Sequence, residues 1–149
     1  MTSYLVRPAT RRDARAVEDL ARRVRRELRA GRVGPAPRTA GHELAWVVEA
    51  GRGEIVGCCS VVDRGDGRWQ LPSLYLAPEW RGFGLGRALL DNALRAVQQQ
   101  GGLEVAAEVP GEAEAALRLL LQLGFRDADD AAGPDVAVRR LVRDLARTS

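Results

Sequence analysis

Glycine and arginine residues are concentrated in one short stretch near the middle of the chain, where they could bind an anion. The stretch is Arg81-Gly82-Phe83-Gly84-Leu85-Gly86-Arg87. Its glycines allow a tight turn and a close approach of the backbone to a ligand, so that successive amides can converge on phosphate oxygens. If a helix begins here, the positive end of its dipole favours the same anion. The pattern therefore predicts a phosphate-binding loop.

The segments on either side of this loop predict a strand and a helix that would hold it in place. Residues 68–76 are typical of a strand, and residues 84–100 carry apolar side chains at four-residue spacing. Such spacing forms one apolar face on a helix, which suits packing against a sheet. Gly101 and Gly102 end the helix.

Two familiar nucleotide-binding motifs do not fit these residues. A P-loop requires a Gly-Lys-Ser/Thr ending, and this chain contains no lysine. A dinucleotide fingerprint requires G-x-G-x-x-G, whereas the third glycine here, Gly86, comes one residue early. The loop is therefore expected to bind a different phosphate-containing ligand.

The residues from Arg81 to Gly86 match the Q/R-x-x-G-x-G/A signature, and the chain resembles the GNAT superfamily of N-acetyltransferases over nearly its whole length. In that family the signature binds the pyrophosphate of acetyl-coenzyme A. The strand before the loop and a late helix ending in Gly124-Phe125 are similar to the family's as well. The resemblance implies a single domain over residues 1–149 with an α/β (α+β) GNAT fold. Its mixed, mostly antiparallel sheet would have about six to seven strands, helices on both faces and a splay between strands four and five.

Turn residues and alternating apolar residues place the strands along the chain. A helix capped by Thr10 and Asp13 follows the first strand, a loop occupies residues 31–41, and a further helix precedes Gly124. Strands four and five flank a crossover helix and should be parallel. The predicted strands are residues 4–7, 43–50, 54–64, 68–76, 103–109 and 136–145, with a short one beginning at Phe125.

The resemblance also implies which residues bind the coenzyme. In the family the pantetheine arm lies beside strand four like an added strand and bonds its backbone. Acetyl-coenzyme A would then be the co-substrate. The implied binding residues are Leu74, Leu76, Arg81, Gly82, Phe83, Gly84, Leu85, Gly86 and Arg87.

Proton transfer is where the chain departs from the family pattern. Leu120 stands where many members have a tyrosine acid, Ala113 where an asparagine is frequent, and Gln70 where many have a glutamate base. The candidates left for catalysis are Tyr75 and Glu108, with Ser73 nearby on strand four. In the family an aromatic residue just before the position of Leu76 more often packs beside the coenzyme than transfers protons, and alternation alone does not decide which face of strand five carries Glu108.

Neither a metal site nor a cysteine nucleophile is expected. Cys58 and Cys59 are adjacent in a strand, so their side chains point to opposite faces and cannot bond each other. A thiolate would need a neighbouring base, and His42, the only histidine, has no evident connection to them.

Composition and charge restrict the partners. All 23 basic residues are arginine and the net charge is +3, with many arginines on the first predicted helix. A solvated face explains them, because no aromatic residues or reading motif accompany the charge, and nucleic acid is not the expected partner. No apolar run approaches the roughly 20 residues of a membrane span, and no secretory pattern opens the chain, which predicts a cytoplasmic protein.

Taken with the resemblance, the residues predict an N-acetyltransferase. It would transfer the acetyl group of acetyl-coenzyme A to a primary amine of a small molecule or peptide, by direct attack on the thioester. A coenzyme-binding regulatory module with weakened catalysis is the alternative, which the changes at Gln70, Ala113 and Leu120 would allow. A homodimer is compatible with either function.

Overall fold

The computed structural model describes residues 3–27, 42–110, 114–128 and 138–145. Seven strands within these ranges form one sheet, as the sequence predicts. The strands are β1 (Tyr4–Pro8), β2 (Glu43–Ala50), β3 (Glu54–Asp63), β4 (Arg68–Leu76), β5 (Glu104–Pro110), β6 (Arg126–Asp127) and β7 (Val138–Asp144). The helices are α1 (Ala14–Glu27), α2 (Leu85–Gln99) and α3 (Glu114–Gln122). The predicted loop at residues 31–41 and Ala113 lie outside the described residues.

The sheet has the strand order β1-β2-β3-β4-β5-β7-β6. Strands β1, β2 and β3 each pair antiparallel with the strand that follows, and β7 pairs antiparallel with both β5 and β6, whereas β4 and β5 are parallel. The crossover through α2 accounts for that parallel pair. The mixed GNAT fold predicted from the sequence is therefore confirmed.

Strands β4 and β5 separate halfway along their length. Their pairing runs only from Arg68 with Glu104 to Leu71 with Ala107, although β4 continues to Leu76 and β5 to Pro110. The space between residues 72–76 and 108–110 is called the splay below. Its position agrees with the expected splay between strands four and five.

A β-bulge in β4 coincides with the start of the splay. Ser60 faces Ser73 and Val62 faces Gln70, so one extra residue of β4 is accommodated between these pairs. Pro72 lies within the bulge and has no N–H to donate to a neighbouring strand. Bulges bend the strand that carries them. The bulge therefore turns β4 away from β5 and reverses the alternation of its side chains.

Helices cover both faces of the sheet. A Cβ added to Gly57 of β3 would lie 3.4 Å from Leu89 of α2, so α2 packs on the face that Gly57 presents. Helix α3 lies on the same side, where Leu119 approaches Gly86 of α2. Helices α1 and α2 both pack on β3 and β4, but they make little contact with each other. Helix α1 therefore lies on the opposite face of the sheet from α2. Within the described residues, no helix is both long enough and apolar enough to span a membrane.

An ionic contact fixes the start of α1 against the sheet. Asp13 is 6% exposed and accepts hydrogen bonds from two guanidinium nitrogens of Arg7 in β1, at 2.8 and 2.9 Å. The Thr10 N–H donates to the same carboxylate at 2.7 Å. The Arg7 hydrogen bonds, with those from Thr10, hold the pKa of Asp13 well below its usual range. The predicted cap is thus also a link between α1 and β1.

Candidate functional site

The glycine loop, residues 81–86, connects a short 3-10 turn at Pro78–Trp80 to α2. Gly82 has φ 87° and Gly84 has φ 77°, which is left-handed backbone that side chains with a Cβ rarely adopt. A Cβ added at either position would meet no heavy atom of the surrounding protein within 4 Å. Both glycines are therefore required by the turn, and both border open space that a ligand can occupy.

Backbone amides at the start of α2 point into this region without helical partners. The Ala88 N–H donates to the Gly84 carbonyl oxygen at 3.1 Å, which is the first bond of the helix. The amides of residues 85–87 precede that bond and have no intrahelical acceptor. Gly84, at the cap position, has no side chain to satisfy them. This arrangement suits a phosphate, which accepts several N–H bonds and is stabilised by the helix dipole.

Gly86 has a different role from the other glycines of the loop. Its φ is not in the left-handed region, and a Cβ added to it would lie 3.0 Å from Leu119 Cδ2. The absent side chain therefore lets α3 pack closely across the first turn of α2. The N–H of Gly86 is one of the amides at the start of α2 that have no helical acceptor. A side chain at this position, however, would point into the protein interior and not into the open cradle.

The remaining loop side chains surround the cradle. Arg81, Phe83 and Arg87 are exposed, and Phe83 retains 62% of its accessible surface. The Phe83 ring is tilted against Trp80, with centroids 6.3 Å apart. The Arg81 Nε donates to the Leu76 carbonyl oxygen at 3.2 Å. Arg81 therefore connects the loop to the end of β4 at the mouth of the splay.

The backbone of β4 presents polar groups to the splay. The Ala77 N–H donates to the Val56 carbonyl at 2.8 Å, so Ala77 belongs to the hydrogen-bonded set facing β3. In an antiparallel pair that set alternates along the strand. The N–H and C=O groups of Leu74 and Leu76 therefore point away from β3 and into the splay, where the resemblance places the pantetheine arm.

Polar side chains from β4 and β5 share one face of the sheet at the splay. The hydroxyls of Ser60 and Ser73 are 2.6 Å apart, and Tyr75 lies on the same face as Ser73. Gln70 lies there as well because the bulge reverses the alternation of β4. Gln70 faces Ala106 of β5, which places Glu108 on this side too. This is called the polar face below, and it is the face that α1 covers over β3 and β4.

The surroundings of the candidate catalytic groups differ. Tyr75 is half-buried and packs against the core, whereas Glu108 is exposed and is the first residue of β5 beyond its pairing with β4. Gln70 accepts a hydrogen bond from Arg64 Nε at 2.8 Å, which fixes its amide. Arg140 of β7 lies directly opposite Glu108 and was not predicted from the sequence. The register between β5 and β7 depends on distant residues, so nothing in the local pattern indicates this neighbour.

Other reactive positions are enclosed in the core. Leu120, at the position where the resemblance implies a tyrosine, is 1% exposed and is enclosed by apolar packing. Cys58 and Cys59 are both buried and free. Burial raises the pKa of Cys58 to about 12 and also raises the pKa of Cys59. Both thiols therefore stay protonated at neutral pH, which does not suit a nucleophile.

The fold resembles those of several solved acetyltransferases. An acetyltransferase of the GNAT family from Staphylococcus aureus has 13% sequence identity and a TM-score of 0.83, covering 97% of this chain and 100% of its own. The PaiA N-acetyltransferase from Thermoplasma acidophilum, solved with coenzyme A, has 16% identity and a TM-score of 0.78, covering 96% and 99%. The ribosomal-protein-S18-alanine N-acetyltransferase from Escherichia coli has 16% identity and a TM-score of 0.71, covering 99% and 97%. These likenesses show a common fold.

Family membership rests on the sequence profile. No curated protein matches the chain. The profile of the acetyltransferase (GNAT) family matches residues 7–125, which run from the end of β1 through α1, β2 to β5, the glycine loop and α3. Acetyl-coenzyme A is the acyl donor that this fold binds, and the open cradle beside the splay fits it. The chain therefore belongs to the GNAT acetyltransferase family.

Proposed function

We propose that this protein is an N-acetyltransferase that moves the acetyl group of acetyl-coenzyme A to a primary amine by direct attack. The observation that carries the proposal is the position of the glycine loop. Its open cradle and the free amides of α2 lie at the end of β4, whose backbone groups point into the splay. One extended ligand with a phosphate group and an amide-containing arm would satisfy both sets of donors.

The chain's own residues would hold the coenzyme at three places. Amides of residues 85–87 would bind the pyrophosphate, Arg81 and Arg87 would add positive charge, and the backbone of Leu74 and Leu76 would pair with the pantetheine arm. When bound, the coenzyme supplies an activated acetyl thioester. Arg81 already occupies the Leu76 carbonyl, so the Leu76 N–H is the more accessible group for the arm or for the acetyl oxygen.

Positioning would provide most of the catalysis. Holding the amine and the thioester together can contribute about 7–11 kcal/mol relative to free reactants. The Leu76 N–H is a donor suited to polarising the acetyl carbonyl, and Glu108 is an exposed carboxylate suited to accepting the proton of the amine. Tyr75, half-buried on the same face, would pack beside the reacting groups or donate its hydroxyl proton.

A coenzyme-binding module without turnover is the second candidate. It is favoured by two residues that cannot transfer a proton: Leu120 is enclosed in the core, and Gln70 is an amide already bonded to Arg64. Such a module would keep the cradle and lose the reaction. The two candidates therefore predict the same coenzyme affinity and different chemistry.

Thiol release distinguishes these candidates. The protein is incubated with acetyl-coenzyme A and a panel of amines that includes amino acids, peptides, polyamines and aminoglycosides, and free thiol is followed with a chromogenic disulfide. We expect release that depends on one class of amine, with formation of the acetylated amine confirmed by mass spectrometry. Coenzyme-dependent stabilisation without release from any amine would support the module and contradict the enzyme. Gly84→Ala is the matched variant, since it should impair either function at the binding step.

A further inference from the structure

Two oppositely charged residues lie side by side on the polar face, next to the splay. Glu108 of β5 and Arg140 of β7 are directly opposite in the register of the two strands. Both side chains are exposed. Cross-strand partners of this kind have Cβ atoms about 4.5–5.5 Å apart. The two residues are therefore neighbours, immediately beyond the last paired residues of β4 and β5.

Apart from Glu108, the acidic residues that β5 and β7 place on this face have basic partners. Their ion pairs are Arg68–Glu104 at 3.8 Å and Arg126–Asp144 at 3.1 Å. Among the residues that the structure describes, Glu108 and Arg140 form no ion pair with each other or with a third group. An exposed pair of this kind would contribute about 0–1 kcal/mol if it formed, so a ligand can displace it readily. These two charges are available to a ligand at the splay.

The charge balance at the splay disfavours polycationic acceptors. A polyamine or aminoglycoside carries several positive charges and would need several carboxylates that lack an ion pair. At the splay, Glu108 instead lies beside Arg140, whose guanidinium would repel a polycation. A molecule with one ammonium and one carboxylate group complements both charges. Arginine is well suited to the second contact because its planar guanidinium can bind a carboxylate through two hydrogen bonds.

We propose that the acceptor is a zwitterion, an amine that carries a carboxylate near its amino group, as in an α-amino acid. Arg140 binds the carboxylate, and Glu108 binds the ammonium group and takes its proton. This assignment rests on the proposed acetyl transfer. The amine lone pair forms the new C–N bond to the acetyl carbon, the C–S bond breaks, and the coenzyme leaves as a thiolate that is protonated by water. Glu108 takes the proton whose loss converts the ammonium group to the free amine, and the second proton, which the nitrogen loses as the amide forms, passes to water.

The test compares acceptors that differ only in the carboxylate. Thiol release is measured for a set of L-amino acids, for their amides and for the corresponding amines without the carboxylate. We expect at least one amino acid to exceed its amide and its amine by about tenfold or more in kcat/KM. Arg140→Gln should reduce kcat/KM for that amino acid to the value for its amide, mainly by raising KM. The kcat/KM for the amide should not change, because the amide has no carboxylate for Arg140 to bind. Arg126→Gln is the matched control, because Arg126 lies on the same face but is paired with Asp144.

The role of Glu108 as proton acceptor is tested by the effect of its substitution on kcat, whereas the role of Arg140 is tested mainly through KM. Glu108→Gln should lower kcat for amino acid and amide alike, because both amines must lose a proton, while an added small carboxylate such as formate should restore part of the rate. Amines acetylated regardless of a carboxylate, with no effect of Arg140→Gln, would overturn the zwitterion proposal and leave N-acetylation intact. Coenzyme binding without thiol release from any amine would overturn both proposals.

Discussion

Replacing Gly84 with alanine should weaken coenzyme binding while leaving the protein folded. Gly84 has φ 77°, a conformation that costs an L-residue roughly 1–2 kcal/mol. At about 2.1 cal/mol/K per residue, the 149-residue chain unfolds with an entropy of about 0.3 kcal/mol/K. The strain alone should therefore lower the melting temperature of the free protein by about 3–6 °C.

The effect on the ligand is separate from this strain. Acetyl-coenzyme A at about 100 times its dissociation constant stabilises the wild-type protein by about 2.7 kcal/mol, a rise of about 9 °C with the same entropy. The methyl group of alanine would project into space that no protein atom fills and that the coenzyme is expected to occupy. It should therefore raise the dissociation constant of acetyl-coenzyme A at least about tenfold. At the same coenzyme concentration the stabilisation then falls to about 1.4 kcal/mol, or about 5 °C at most.

Gly101 provides the matched control. Gly101 lies just beyond the other end of α2 and has φ 80°. As at Gly84, a Cβ added to Gly101 would lie more than 4 Å from every heavy atom except those of the adjacent residues. Gly101→Ala should lower the melting temperature of the free protein as much as Gly84→Ala and keep the full coenzyme shift. Differential scanning fluorimetry gives both values, and calorimetric titration gives the dissociation constants. Equal coenzyme shifts in the two variants would refute the assignment of the cradle.

Further predictions concern the parts of the chain that support the site. Asp13→Asn should lower the unfolding free energy by about 1.5–3 kcal/mol at neutral pH. Because folding depresses the pKa of Asp13, the wild type should begin to lose this advantage as pH falls below about 4 and should lose it fully only when the folded carboxylate is protonated, so urea titrations between about pH 3 and 7 follow the start of the loss. Cys58 and Cys59 should resist thiol reagents at about pH 8 in the native protein and react fully once it is unfolded, since burial keeps both protonated. Gly102→Ala should destabilise the protein more than a surface change, by about 1–3 kcal/mol in chemical denaturation, because its methyl would lie 2.3 Å from a Val97 methyl.

Local sequence patterns predicted the elements of the sheet well. The predicted bounds of β2 and β4 match the structure, and those of α2 differ by one residue at each end. The glycine loop was also predicted, because its conformation depends on glycines that are neighbours in the chain. These features depend on turns and periodicity within a few residues, which is the information that a local pattern contains.

Features that depend on distant contacts were not predicted. Simple alternation places Gln70 and Ser73 on opposite faces of β4, whereas the bulge puts them on the same face. The face of Glu108 was left open for the same reason, since it follows from the pairing of β5 with β4. The contact of Gly86 with Leu119 was not predicted because it is made across more than thirty residues of chain. In each case the missing information was the register of distant segments.

The separation of β4 and β5 gives this sheet an edge in its interior. Along the splay the amides of Leu74 and Leu76 have no partner strand, although they lie near the middle of the strand order. Unpaired edges attract other extended chains, and natural proteins usually protect them. An extended ligand in the splay would act as such protection. Amide hydrogen exchange at Leu74 and Leu76 should then be fast in the free protein, unlike that of Tyr75 between them, and slow sharply when the coenzyme binds. Without a ligand, this interior edge is therefore a place where another extended chain could pair with β4.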